Sequence, residues 1–259
     1  MRSSTTHVVQ HRLVVERVRT QWNQGAVIAR GRTRHLEVDG ATYASFHPQR
    51  RFFGYAWDAL AAVPLCHPLA AHDGGKSMRV LLIGLGGGTS LHAMRLMLPG
   101  VELVTAEIDP ELVHVSRRHF GLAQTRAQVV VGDGYAHVDA HPHHYDVILD
   151  DAFLARGETA RTEDVSLALV ARMTLGLRPG GILASNVFTD VPNRPGRDRA
   201  RRIFRQSFRH SFEIVPPRGA NAILCGSAGL RPWAQVAEQV RALPNAARRA
   251  MERLNGLVR

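Results

Sequence analysis

Residues 79–89 read Arg-Val-Leu-Leu-Ile-Gly-Leu-Gly-Gly-Gly-Thr, and this stretch decides the fold class. It begins as a continuous apolar run, which is typical of a strand buried on both faces of a parallel sheet. It ends in glycines before a helix predicted from about Ser90, so the backbone can turn tightly and present helical N–H groups to a ligand. Because Thr89 follows Gly88, the spacing is G-x-G-x-G, which favours a loop around a nucleoside over a dinucleotide-binding G-x-G-x-x-G loop.

Apolar runs alternate with helical segments after this stretch. Asp109-Pro110 predicts a helix start, with Asp as the N-cap and Pro at the first helical position, and another helix is predicted from about Glu163. Strands separated by helices indicate a mainly parallel sheet covered on both faces. The expected fold class is α/β, a Rossmann-like doubly wound sheet closed by an antiparallel, hairpin-like end. Its strands are predicted near residues 101–107, 127–132, 145–150, 182–188, 212–215 and 221–225.

The first part of the chain has a different pattern. Apolar and polar residues alternate in 12–18 and 34–40, and Asp39-Gly40 is a turn signal, so a small β meander is predicted. A helix is predicted from about Arg51 to Leu65, and a linker follows. The expected division is a meander plus helix in residues 1–77, a Rossmann-like domain in 78–228 and a helical segment in 229–259.

Carboxylates follow the predicted strands where each strand ends. Glu107 stands 19 residues after Gly88, the position from which a carboxylate can accept both hydroxyls of a ribose. Asp133 follows the third strand and Asp150-Asp151 the fourth, whereas Asp109 is expected to cap a helix. Because the carboxyl ends of parallel strands meet at one edge, these acids and the glycine loop are expected to line one crevice.

Composition narrows the class of protein. The chain has 259 residues, 45% hydrophobic and 21% charged, which is typical of a globular protein. No apolar run approaches the ~18 residues of a membrane span, so no membrane partner is expected. The N-terminus lacks the apolar stretch and cleavage site of a secretory signal, and the expected location is the cytoplasm.

The basic charge raises the question of a nucleic-acid partner. The net charge is +11, and Lys76 is the only lysine among 33 basic residues. In residues 196–209, apolar side chains recur at helical spacing, so one face should pack on the sheet while the arginines face water. No aromatic side chains alternate with those arginines as a base-stacking platform requires. A nucleic-acid partner is therefore not expected.

Histidines and cysteines are assigned structural roles. His141-Pro-His-His144 precedes a predicted strand, so it should lie at the edge of the sheet opposite the crevice, and no metal is expected. Cys66 and Cys225 are far apart in apolar surroundings, which favours two buried thiols over a redox pair.

Five motifs in this order resemble the spermidine synthase family, especially its divergent spermidine synthase-like branch. The resemblance covers about residues 30–226 and includes the hairpin and the helix before the glycine loop. The motifs are residues 79–88, Glu107-Ile-Asp-Pro110, Val131-Gly-Asp-Gly134, Tyr145-Asp-Val-Ile-Leu-Asp-Asp151 and Leu177-Arg-Pro-Gly-Gly-Ile-Leu183.

This resemblance implies a class I methyltransferase-like fold and a site for an S-adenosylmethionine-type donor, without a metal. The loop residues Gly84, Gly86 and Gly88 would hold the nucleoside, Glu107 the ribose, and Asp133 would lie near the adenine. Asp151 matches the family's catalytic acid, which orients an amine and takes its proton. An amine with a pKa near ~10 is protonated at neutral pH and must lose a proton before attacking a carbon. A homodimer is implied as well.

The chain departs from the family at four places. The second acid of the family's site is replaced by Leu154, the acidic residue of the glycine loop by Gly87, and the hairpin Gln by Tyr43. The Tyr-His-Glu helix start is Tyr55-Ala56-Trp57. Burying an ammonium group without a counter-charge is costly, so these changes favour methyl transfer onto a small amine-like acceptor.

Two other functions stay open. One is polyamine biosynthesis, by aminopropyl transfer from decarboxylated S-adenosylmethionine. The other is a non-catalytic nucleoside- or RNA-binding protein.

Overall fold

The computed structural model describes residues 12–38, 40–71, 73–153 and 165–255. The strands are β1 (Arg12–Arg19), β2 (Gln24–Arg30), β3 (Thr33–Val38), β4 (Ala41–Phe46), β5 (Arg79–Ile83), β6 (Glu102–Glu107), β7 (Gln128–Val131), β8 (Tyr145–Asp150), β9 (Leu177–Phe188), β10 (His210–Ile214) and β11 (Asn221–Ser227). The helices are α1 (Ala56–Ala62), α2 (Thr89–Met97), α3 (Pro110–His119), α4 (Gly134–Asp139), α5 (Leu167–Leu175), α6 (Arg194–Ser207), α7 (Trp233–Ala242) and α8 (Asn245–Met251).

The larger sheet runs in the order β10-β11-β9-β8-β5-β6-β7. The strands from β9 to β7 are parallel neighbours, and β11 and β10 add antiparallel pairs at one edge. Every residue of β8 is buried, as expected for a strand covered on both faces. The predicted α/β class, the doubly wound sheet and its antiparallel end are confirmed.

Two apolar layers flank this sheet. Leu91 of α2 and Met251 of α8 belong to one buried cluster, and Val138 of α4 and Phe204 of α6 belong to the other. After β5, the chain adds β6 and then β7 on one side of β5. The next strand, β8, pairs with β5 on its other side. A reversal of this kind opens a crevice at the carboxyl ends of the strands.

The N-terminal sheet is an antiparallel meander in the order β1-β2-β3-β4, as predicted. Its buried face, which includes Val27 and Leu36, packs against Leu112 and Phe120 at α3. Thr20 Oγ1 also donates a 2.6 Å hydrogen bond to the Asp109 carboxylate at the start of α3. The meander is thereby attached to the crevice side of the larger sheet.

Several predicted boundaries were wrong. The helix predicted over 51–65 is α1, followed by a 3₁₀ turn at Val63–Cys66, because Pro64 cannot continue the α-helical hydrogen bonds. The turn expected at 178–181 lies inside β9, where Gly180 has φ +81°. The helix predicted from Glu163 begins at Leu167, capped by Ser166, which accepts a hydrogen bond from the Leu169 N–H. Asp39, Leu154 and Glu163 themselves lie outside the described residues.

The division of the chain at residues 77 and 228 stays a prediction. Within the described ranges, no helix combines the length and apolar character needed to cross a membrane.

Candidate functional site

A cavity of about 590 Å³ lies at the carboxyl edge of the larger sheet. Residues from the N-terminal sheet and from the start of α1 complete its wall. Gly88 lies at the N-cap of α2 with φ +74°. The other predicted site residues line the cavity, namely Gly84, Gly86, Glu107, Asp133 and Asp151. The structure thus brings residues from four of the five motifs to one crevice, while their roles stay predictions.

Gly84 makes the sharp turn that follows β5. Its φ is +88°, and a Cβ atom there would lie 2.5 Å from the carbonyl oxygen of Asp151. Its N–H donates a 2.9 Å hydrogen bond to the carbonyl oxygen of Ala106. Only glycine allows both this backbone conformation and the close approach of the loop to the end of β8.

Gly87 is packed too closely to carry a side chain. A Cβ atom at this position would lie 2.5 Å from Ala44 Cβ on β4 and 2.8 Å from Phe120 Cδ1. The acidic residue found here in the resembling family therefore does not fit this chain, because the N-terminal sheet occupies its space.

Glu107 is a buried carboxylate at the end of β6, only 6% exposed. Its Oε2 accepts a hydrogen bond from the Leu85 N–H at 2.9 Å, and its Oε1 accepts one from the Asp109 N–H at 3.0 Å. Burial raises its pKa above the ordinary value, and these backbone donors partly oppose that effect. Each oxygen keeps acceptor capacity for a hydroxyl group of a ligand.

Two other acids serve as helix caps. Asp109 accepts a hydrogen bond from the Glu111 N–H at the start of α3, so the predicted capping role is confirmed. Asp133 caps α4 by accepting a 2.8 Å hydrogen bond from the Tyr135 N–H, and it also lines the cavity.

Asp150 and Asp151 have different surroundings. Asp150 is 1% exposed and accepts hydrogen bonds from the hydroxyls of Tyr135, at 3.1 Å, and Ser185, at 3.4 Å. Asp151 lines the cavity and accepts a 2.7 Å hydrogen bond from Asn186 Nδ2. Asp150 therefore belongs to the packing of the sheet, whereas Asp151 faces the space that a ligand would fill.

Three asparagines in the cavity wall were missed by sequence reasoning. Asn186 Oδ1 accepts a 3.1 Å hydrogen bond from Asn221 Nδ2, which extends the chain of contacts from Asp151 to β11. Asn23 donates to Asp109 at 2.8 Å, while its buried Oδ1 has no hydrogen-bond partner in the described part of the chain. No local motif marks these residues, because each meets its partner from a distant segment.

The cavity has two ends, set by the strand order. We call one the β6 end, formed by Asn23, Glu107 and Asp133. We call the other the β9 end, where Asp151 and the asparagine pair meet four aromatic rings, those of Tyr55, Trp57, Phe153 and Phe188.

The histidine group lies before β8, at the edge opposite the cavity, as predicted. The rings of His137 and His141 are 4.1 Å apart, and His137 Nε2 lies 2.6 Å from the Tyr145 hydroxyl. Across the ranges that the structure describes, no group of three or more His, Cys, Asp or Glu side chains is arranged to hold a metal ion. Cys66 and Cys225 are buried, and burial raises the pKa of Cys66 to about 12, as for an unreactive thiol.

Curated proteins similar to this chain are polyamine aminopropyltransferases. The one from Thermoanaerobacter sp. is 35% identical over 91 residues, which are 33% of this chain and 32% of that protein. The one from Vibrio vulnificus is 26% identical over 213 residues, 81% of this chain and 68% of that protein. The chain thus matches about a third of the length of the first relative. No protein-family model matches it.

Solved structures with this fold include two of spermidine synthases. One is from Thermotoga maritima and the other is in complex with the transition state analogue AdoDATO. Each has 19% sequence identity and covers 90% of this chain and 78% of its own, with TM-scores of 0.67 and 0.68. Human methyltransferase-like protein 13 in complex with SAH, at 20% identity, covers 74% of this chain and 91% of its own with a TM-score of 0.57. At these identities the likeness establishes the fold.

Proposed function

We propose that this spermidine synthase-like chain is an aminopropyltransferase that uses decarboxylated S-adenosylmethionine and an amine acceptor. One observation carries the proposal: Asp151 lines the same cavity as the Gly84 loop and Glu107. A group suited to hold a nucleoside and a group suited to take a proton therefore face one space. The curated relatives, named polyamine aminopropyltransferases, support the choice of transferred group.

The β6 end fits the nucleoside part of such a donor. The Glu107 carboxylate, which backbone N–H groups hold in place, keeps acceptor capacity for both ribose hydroxyls. Asn23 lines the same end, and its Nδ2 donates a 2.8 Å hydrogen bond to the Asp109 carboxylate. The carboxylates of Glu107 and Asp133 at this end also complement the positive charge of the donor.

Asp151 has two tasks in this mechanism. Its carboxylate attracts the ammonium form of the acceptor to the β9 end, and Asn186 fixes the direction in which the carboxylate points. The bound donor supplies a carbon activated by its sulfonium. The ammonium group first gives a proton to Asp151, which leaves a lone pair on the amine nitrogen. That lone pair then forms the new C–N bond while the C–S bond breaks, and the electron pair of the C–S bond stays on sulfur in a neutral thioether. The chain contributes alignment and charge complementarity.

Methyl transfer is the second candidate function. The positions at which the sequence departs from the family pattern favoured it. One observation favours it: Arg30 lines the cavity, and a guanidinium group there could pair with the carboxylate that S-adenosylmethionine has and its decarboxylated form lacks. Arg30 is already paired with Glu37 at 2.9 Å, which weakens this argument. Calorimetric titration with both donors separates the candidates, and tighter binding of S-adenosylmethionine would favour methyl transfer.

The variant Asp151→Asn tests the catalytic role. We expect turnover to fall by about 10²–10⁴-fold, the range typical of a lost general base, while the donor Kd stays within about threefold. Asp139→Asn is the matched control, because Asp139 is a surface carboxylate paired with Arg172. Unchanged turnover in Asp151→Asn would rule out the proposed role.

A further inference from the structure

The acceptor position follows from the strand order if the proposed function is right. In that function the nucleoside lies over β5 and β6, because Gly84 directly follows β5 and Glu107 ends β6. The other strand ends available to a second ligand are those of β8 and β9, on the opposite side of β5. The acceptor therefore occupies the β9 end, next to Asp151.

Negative charge is scarce at the β9 end. The acidic residues that line the cavity in the described ranges are Glu107, Asp133 and Asp151, and the first two belong to the β6 end. At the β9 end, Asp151 accepts a hydrogen bond from the neutral amide of Asn186, which in turn accepts one from the amide of Asn221. One carboxylate can balance one ammonium group, and among the described residues of this part of the wall Asp151 is the only carboxylate.

Aromatic surface is abundant at the same end. The rings of Phe153 and Phe188 lie 5.2 Å apart, and those of Tyr55 and Trp57 lie 5.5 Å apart. A Cβ atom on Gly219 would lie 3.3 Å from Tyr55 Cδ1, so the segment between β10 and β11 lies close to the start of α1 at this glycine. Rings of this size favour an apolar or aromatic ligand body.

We propose that the acceptor is a monoamine. Its single ammonium group meets Asp151, and its apolar or aromatic body lies between the ring pairs Phe153–Phe188 and Tyr55–Trp57. This inference rests on the proposed function. It limits the acceptor to monoamines and excludes linear diamines.

Magnitudes favour a monoamine over a diamine. A second ammonium group buried without a carboxylate loses hydration that is costly to replace. A cation–π contact with one of the rings is much weaker than the hydration that is lost. The aromatic faces therefore offset only part of the loss, whereas they accept an uncharged alkyl or aryl body without any such penalty.

Hexylamine and 1,6-diaminohexane form a matched pair of acceptors, because they differ only in the second amino group. With decarboxylated S-adenosylmethionine and S-adenosylmethionine as donors, we expect kcat/KM for hexylamine to exceed that for the diamine at least tenfold. Phenethylamine should be at least as good as hexylamine. A diamine that equals or exceeds hexylamine would overturn the inference and leave the proposed function intact.

A charge-introducing variant tests the same point. Phe188→Glu should reverse the preference by improving the diamine relative to hexylamine at least tenfold, because it supplies the missing carboxylate. Leu175→Glu is the control, since Leu175 is 61% exposed on α5 and outside the cavity wall. An unchanged preference in a folded Phe188→Glu protein would contradict the assignment of the β9 end.

The binding of amines tests the acceptor class independently of turnover. Loss of turnover with every amine and both donors would overturn the proposed function. Calorimetry of hexylamine and 1,6-diaminohexane, in the presence of 5′-methylthioadenosine, then tests the inference alone. Tighter binding of hexylamine supports it, and equal or absent binding overturns it.

Discussion

Asn186 contacts Asp151 directly at the β9 end. Its Nδ2 donates to Asp151 at 2.7 Å, and a hydrogen bond to the charged form of an acid stabilises that form. Asn186→Ala should therefore lower kcat about 10–100-fold, the range for a lost hydrogen bond to a charged group, and move the acidic limb of the pH–rate profile to higher pH. The donor Kd, measured by calorimetry, should change little.

Asn221→Ala is the graded control for this prediction. It removes only the 3.1 Å hydrogen bond to Asn186 Oδ1, so its effect should have the same direction and be a few-fold in size. If both variants lost activity equally and the pH profile did not move, the asparagines would act through strand packing rather than by orienting Asp151.

The candidate site could be predicted where a residue follows its own strand. Glu107, Asp133 and Asp151 each stand at a strand end, so the parallel arrangement alone brings them to one edge. Asn23 and Asn186 could not be found in this way. Their function depends on partners from other segments, and a single sequence does not contain the distances between segments.

At the scale of elements, the packing of β4 against the glycine loop decides what position 87 can hold. Gly87→Ala would place a methyl group 2.5 Å from Ala44 Cβ, and overpacking of this kind costs about 1–3 kcal/mol. We expect a loss of this size in the free energy of unfolding, measured by urea denaturation.

The double variant Gly87→Ala with Ala44→Gly tests the cause of that loss. Removing the Ala44 methyl group creates room, so the double variant should be more stable than the sum of the single effects predicts. Additive effects would mean that β4 does not limit this position.

Elements were predicted better than their boundaries. The strand-then-helix alternation predicts β5 to β9 because buried parallel strands are apolar throughout, and the meander follows from alternation in β1 and β3. The early end of α1 depends on Pro64. The extension of β9 across 178–181 depends on pairing with β8, where the register shifts between Tyr145 and Val147. Pairing of this kind is a property of two segments together.

For the whole molecule, two buried groups give opposite contributions to stability between pH 4 and 6.5. Burial raises the pKa of Asp58 to about 6, although it accepts hydrogen bonds from the Phe53 and Gly54 N–H groups. Its contribution is present at low pH and is lost as pH rises through 6. Burial lowers the pKa of His92 to about 4, so its contribution is present above pH 6.5 and is lost as pH falls.

Single variants should separate these effects. A pKa shift of one unit corresponds to about 1.4 kcal/mol, so each of the two shifts changes the free energy of unfolding by roughly 3 kcal/mol. Relative to the parent chain, Asp58→Asn should become less stable as pH falls from 7 to 4, and His92→Gln should become more stable. Urea denaturation at pH 7, 5.5 and 4.5 measures both, and a difference from the parent chain that is independent of pH would contradict the assignment.

The overall charge and the charge of the site have opposite signs. The chain carries a net charge of +11, yet Glu107, Asp133 and Asp151 line its cavity. The arginines of α6 include Arg197 and Arg201, which pair with Glu213, so part of the basic excess is used within the fold. A homodimer, expected from the family resemblance, stays a prediction.

The two ends of the cavity are built from different numbers of chain segments. The strand ends under the β6 end come from one uninterrupted piece of chain, from Gly84 to Asp133. The β9 end is assembled from four separated pieces, around Tyr55, Phe153, Phe188 and Asn221. The donor end that we propose can therefore be inherited as one segment of the chain, whereas the proposed acceptor end can be altered separately in each of four distant segments.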